Sequence, residues 1–68
     1  MDKLEIGKTL VALRKERGET LSDVANAVGT SQSAISMYEN GIRIPRDAIK
    51  KKLSNHFNVS VEQIFFAD

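Results

Sequence analysis

The chain has 68 residues, no cysteine, one histidine and a formal net charge of +1. That length limits it to one small domain, residues 1–68, burying only about 60% of its unfolded surface, and the missing cysteines exclude disulfides, zinc knuckles and thiol chemistry. No apolar run approaches the roughly 20 residues that span a bilayer and no signal peptide opens the chain, so a soluble, cytoplasmic protein is expected.

Five helices account for nearly every residue, and no strand pattern occurs. The first is predicted from about Leu4 to Arg17, with Ile6, Leu10 and Leu13 on one face, and Gly18 ends it. Thr20 caps the second helix, and Asp23 three residues later offers a capping box. Gly29 stops that helix. Ser31 caps the third, from Gln32 to about Asn40, and Asn40-Gly41 closes it in a left-handed turn. After the loop Ile42–Ile44, Pro45 presets the entry to a fourth helix with the apolar stripe Ile49, Leu53 and Phe57, and Asp47 lies near its positive end. Ser60 and Gln63 form a capping box for the fifth, with Val59 and Ile64 placed as a hydrophobic staple.

Leu21–Asn40 carries the functional information. Two short helices that cross through a tight turn need a small residue where they approach, a residue tolerant of positive φ at the turn, and a plug between them. Ala25, Gly29 and Ile35 supply these in order, and Val24, Val28 and Tyr38 complete the wedge. This is the pattern of a helix-turn-helix, whose second helix commonly enters the DNA major groove. With Ile35 and Tyr38 turned inward, Gln32, Ser33, Ser36 and Met37 share the opposite face, which is small and uncharged for a surface facing water. Arg14, Lys15 and Arg17 precede the motif, while Arg43, Arg46, Lys50, Lys51 and Lys52 follow it. Such charges are ordinarily solvated helix surface, but flanking a helix-turn-helix on both sides suits them to phosphate.

The chain resembles the Cro/cI-type (Xre) family of phage and bacterial regulators. The likeness rests on the spaced run A-x-x-x-G-x-S-Q-S-x-I-S-x-Y-E-N-G from Ala25 to Gly41, on Pro45, and on V-S-V-E-Q-I near the end. It implies an all-α, compact, five-helix lambda-repressor-like DNA-binding domain that regulates transcription, most often as a repressor. It also implies that Gln32, Ser33, Ser36 and Met37 face base edges, with Gln32 suited to adenine and Met37 to a thymine methyl; Gln32 as a cap extension and Met37 as packing against the fourth helix are the structural readings. Thr20, Asn40, Arg43, Arg14 and Arg46 would meet phosphates, Asn40 also serving to end its helix. Arg14 and Glu39 match a partly buried salt bridge of the family. Two positions depart from the pattern. Leu21 stands where glutamine usually braces the recognition helix, and Lys50 stands where an apolar residue is usual, so that either the fourth helix is rotated or its register is shifted and Ile49 fills the core.

One recognition helix reads few base pairs, which favours a homodimer on a palindromic operator. Phe65 and Phe66 are adjacent and cannot share one small core; Phe65 fits the interior and Phe66 a dimer contact. His56 has no second ligand near it in sequence, so neither a metal nor another cofactor is expected. No effector pocket is expected in so small a core. No nucleophile–base pair, paired carboxylates or phosphate loop suggests an enzyme. The competing readings are a protein-interaction module on the same fold, such as an antitoxin or anti-repressor, and one domain of a longer regulator.

Overall fold

The computed structural model describes residues 2–66. Four α-helices run in order, α1 Lys3–Glu16, α2 Leu21–Val28, α3 Gln32–Glu39 and α4 Asp47–Phe57, followed by a π-helix at Glu62–Phe66. Three of the α-helices and the C-terminal segment start on a side-chain cap, while α4, entered from Arg46, has none. Asp2 accepts the Glu5 amide at 2.8 Å, which sets α1 one residue ahead of the sequence expectation. Thr20 and Ser31 accept the amides of Asp23 and Ala34, each at 3.0 Å. Ser60 and Gln63 exchange both bonds of the predicted capping box, at 2.8 and 3.1 Å.

The ends are equally local. Gly18, Gly29 and Gly41 all adopt positive φ. After α3, the Ile42 amide reaches back to Met37 O at 3.0 Å and the Gly41 amide to Tyr38 O at 3.3 Å. That doubly bonded closure requires a left-handed residue at Gly41 and makes Asn40 the cap instead of the last helical residue. The expected recognition helix therefore shortens by one residue.

Ile6 and Leu10 of α1, Val24, Ala25 and Val28 of α2, Ala34, Ile35 and Tyr38 of α3, Ile49, Leu53 and Phe57 of α4, and Ile64 and Phe65 form one core. Each large side chain removed from water there contributes about 1.5–3 kcal/mol before the entropy of ordering it. Val59 and Val61 pack against the rim of this core. The C-terminal segment, expected as an ordinary helix, is wound wider. Its single buried pair, Ile64 and Phe65, faces inward while Phe66 stays 59% exposed.

Ile49 fills the core, and the Lys50 stem lies along the protein with Nζ 5.5 and 5.2 Å from the Phe65 and Phe66 ring centroids and 3.8 Å from Asp47. An apolar stem with its charge over aromatic faces substitutes for the usual apolar residue.

Gly7 fixes how deeply α3 sits. It is buried on α1, and a methyl group there would collide with the backbone carbonyl of Glu39 and stand 3.0 Å from Tyr38 O. The last turn of α3 thus rests directly on the α1 backbone.

Candidate nucleic-acid interface

The α2–turn–α3 unit is built as its spacing requires. Ala25 is 3% exposed where the helices cross, Gly29 turns the chain at φ 74°, and Ile35, Val24 and Val28 are sealed between them. The amide of Thr30 closes the turn on Ala25 O at 3.0 Å. With Ala34, Ile35 and Tyr38 inward, Gln32 and Ser33 stand exposed at the start of α3.

Ser36 and Met37 are only half exposed, a correction to the uniformly open face expected from the helical wheel. For Ser36 the cause is Asn40, whose Nδ2 donates to Ser36 O at 2.9 Å and to its Oγ at 3.3 Å. The same bonds satisfy a carbonyl at the helix end, so Asn40 acts as a cap while its side-chain oxygen stays available.

Thr20 is exposed, but its backbone donor is spent. Its backbone N–H donates to Asp23 Oδ2 at 2.9 Å while its Oγ1 accepts from Asp23 N. The Thr20 N–H, then its hydroxyl, hold the Asp23 carboxyl below its ordinary range against a small opposing effect of burial. A carboxylate therefore occupies the positive end of α2. The start of α3 has no acidic residue in its first turn.

Arg14 and Glu39 form a forked pair, Nε donating to Oε2 at 2.7 Å and Nη2 to Oε1 at 3.1 Å, while Nη1 donates to Glu19 O at 3.0 Å. The hydrogen bond to Glu39 raises the Arg14 pKa, and partial burial opposes this. Glu39 is 8% and Arg14 16% exposed, which leaves Arg14 only a narrow edge toward solvent. Arg43 and Arg46 are exposed and form no ion pair with another described residue. Arg17, by contrast, is drawn to Glu19 at 3.3 Å.

Two features escaped the sequence reading. One is the close approach at Gly7, for which an isolated glycine inside a helical pattern is the available signal. The other is His56, whose Nε2 lies 2.8 Å from Glu19 Oε1 across 37 residues of sequence. The carboxylate can only accept, so that nitrogen carries a proton. Through Glu19, His56 of α4 joins the Arg14–Glu39 pair and hence the end of α3. Nothing in the local sequence announces so distant a partner.

Comparison with known proteins bears on the family and the fold. The helix-turn-helix family matches residues 10–64. The competence pilus inhibition repressor of Acinetobacter baylyi is 42% identical over 62 residues, 91% of this chain and 56% of the repressor. The HTH-type transcriptional repressor RghR of Bacillus subtilis is 38% identical over 61 residues, 88% of this chain and 45% of RghR. The chain thus spans about half the length of these two relatives. The restriction-modification controller protein C.AhdI from Aeromonas hydrophila superposes with a TM-score of 0.84 at 22% identity, covering 91% of this chain and 94% of the controller. The clp gene regulator ClgR of C. glutamicum gives 0.80 at 22% identity, covering 91% and 80%. These two likenesses concern the fold, while the sequence matches carry the kinship: the chain belongs to the Cro/cI-type (Xre) helix-turn-helix family of transcriptional regulators.

Proposed function

We propose that the chain binds double-stranded DNA sequence-specifically and acts in the cytoplasm of a bacterium, or from a phage genome, as a transcriptional regulator, most simply a repressor. The carrying observation is the start of α3, where Gln32 and Ser33 stand exposed and no carboxylate opposes an approaching phosphate. Gln32 and Ser33 make the principal base contacts, Gln32 through an adenine edge worth about 1–3 kcal/mol of discrimination. Ser36 and Met37 contribute from the half-covered part of the same face. Arg43 and Arg46 hold phosphates with Asn40 and the α3 terminus. Thr20 contributes less, because its amide is already bonded, and Arg14 acts mainly by neutralising Glu39.

The unit on DNA is a homodimer, placing two α3 helices about 34 Å apart. Exposed Phe66, beside a shallow groove shared with Asp47, Lys51 and Val61, is the proposed contact. Selection from a random duplex pool, followed by affinity measurements at two salt concentrations, tests the reading. Enriched two-fold-symmetric sites and a steep loss of affinity with salt are expected; equal retention of all sequences, or no retention, refutes it. Phe66→Ser should leave the melting temperature nearly unchanged and lower affinity for a two-half-site operator. Unaltered affinity would remove Phe66 from the interface.

A further inference from the structure

A cleft of about 350 Å³ lies between the turn of the motif and the loop after α3, floored by Tyr38 and Ile49 and rimmed by Thr30, Ser31, Arg43 and Arg46. Its volume falls in the range of about 300–1,000 Å³ typical of small-ligand sites. Ala34, Tyr38 and Ile49 of its lining are also core residues.

Tyr38 is the unexplained residue. It is 5% exposed, and phenylalanine would fill the same core space. Yet its hydroxyl forms no hydrogen bond with another described residue. Among the described residues no buried side-chain oxygen or nitrogen lacks a partner, so the hydroxyl keeps contact with solvent, and the cleft is the space that Tyr38 lines.

The other polar groups around it are also donors. The Ser31 Oγ lone pair is used by the Ala34 amide at 3.0 Å, leaving its proton to give outward. Thr30 adds a hydroxyl, and Arg43 and Arg46 add two planar forks of permanent positive charge. No carboxylate lines the cleft. Asp47, nearest in sequence, is 98% exposed and turns toward Lys50 at 3.8 Å. A cleft lined by several donor groups and two cations, with no carboxylate, favours an oxyanion. Three hydroxyls and two guanidinium groups suit the three terminal oxygens of a phosphoryl group better than the two of a carboxylate.

Depth separates the possible sources of that phosphoryl group. A duplex phosphate is tied through two ester oxygens to a rigid cylinder, and it meets Arg43 and Arg46 at the rim. A terminal phosphoryl group has only one tether and can descend to Tyr38. We propose that the cleft binds the terminal phosphoryl group of a small phosphate monoester, with the Tyr38 hydroxyl as its floor donor, and that occupancy competes with DNA for Arg43 and Arg46. The competition, unlike the binding, rests on the DNA-binding reading above.

The test begins without DNA. Glycerol phosphate is titrated into the full chain at fixed ionic strength while backbone amides are followed by NMR. Saturable shifts centred on Thr30, Ser31 and Tyr38 are expected, and Tyr38→Phe should weaken binding about tenfold with an unchanged fold, as loss of a hydrogen bond to a charged group does. Linear shifts, equal binding by Tyr38→Phe, or equally tight binding of dimethyl phosphate would overturn the site. In a second arm, saturating glycerol phosphate should lower duplex affinity severalfold for the wild-type chain but much less for Tyr38→Phe. Unchanged duplex affinity overturns the competition. A chain that binds no duplex refutes the DNA reading and the competition together, while the first arm still decides the cleft.

Discussion

Both helices of the motif open on a hydroxyl cap of the same geometry, Thr20 to the Asp23 amide and Ser31 to the Ala34 amide, each at 3.0 Å. They differ in the residue that receives the cap. Asp23 returns its carboxylate to the Thr20 N–H and closes the positive end of α2 with a negative charge. Ala34 is buried and returns nothing, so the amides of Gln32 and Ser33 and the partial charge of α3 stay open to an anion. One side chain at the third helical position separates a self-satisfied terminus from a receptive one. The first terminus is closed by the protein's own charge; the second is left without one.

Where the open terminus of α3 is presented depends on how deeply that helix sits against α1, and Gly7→Ala is the strongest way to change that. Alanine normally favours a helix over glycine, but here the added methyl meets the Glu39 carbonyl. A loss of about 2–3 kcal/mol is expected, each kcal/mol lowering the melting temperature about 4–8 °C in a domain of this size. An unchanged melt would show that the two backbones are not in contact.

At the far end of α3, Arg14→Met leaves Glu39 buried and unpaired, costing about 2 kcal/mol in chemical denaturation, below the range for a fully buried pair because Arg14 keeps a solvent edge. Adding Glu39→Met should restore most of that stability. A double variant as unstable as the single one would mean that packing, and not the stranded charge, is responsible.

Ser31→Asp sharpens the comparison directly. Aspartate caps as well as serine, so thermal stability should change little, while duplex affinity should fall about tenfold as a carboxylate arrives at the open terminus. Retained affinity would separate the α3 terminus from phosphate binding.

The mildest change is Asp23→Asn. The Asp23 carboxyl is held below its ordinary range when folded, so its contribution is fully present above the unfolded carboxyl pKa and disappears as pH falls through the lower folded value. The variant should lose that acid-range part of the stability–pH profile and bind duplex slightly more tightly at neutral pH. A profile identical to wild type below about pH 4 would remove Asp23 from the acid transition.

Helix existence was legible in the residues because its signals are local. A hydroxyl three residues before an amide, or a glycine after the last turn, acts within one turn of chain and works wherever the helix is placed. The crossing of α2 and α3 was legible for the same reason, since Ala25, Gly29 and Ile35 lie within eleven consecutive residues. The outward set on α3 was only half legible: periodicity gives a direction, but Asn40 folding back over Ser36 decides its exposure.

What the tertiary structure alone decided is how elements distant in sequence meet. The Lys50 stem finds its partners in the aromatic rings of a segment beyond α4. The depth of α3, the bond from His56 to Glu19 and the cleft that Tyr38 lines each depend on surfaces brought together from separate helices. Local chemistry specifies which turn a residue begins or ends, because those partners are fixed by chain connectivity. It leaves the partners across the core unspecified, because many packings bury the same apolar stripe and only the assembled shape selects one.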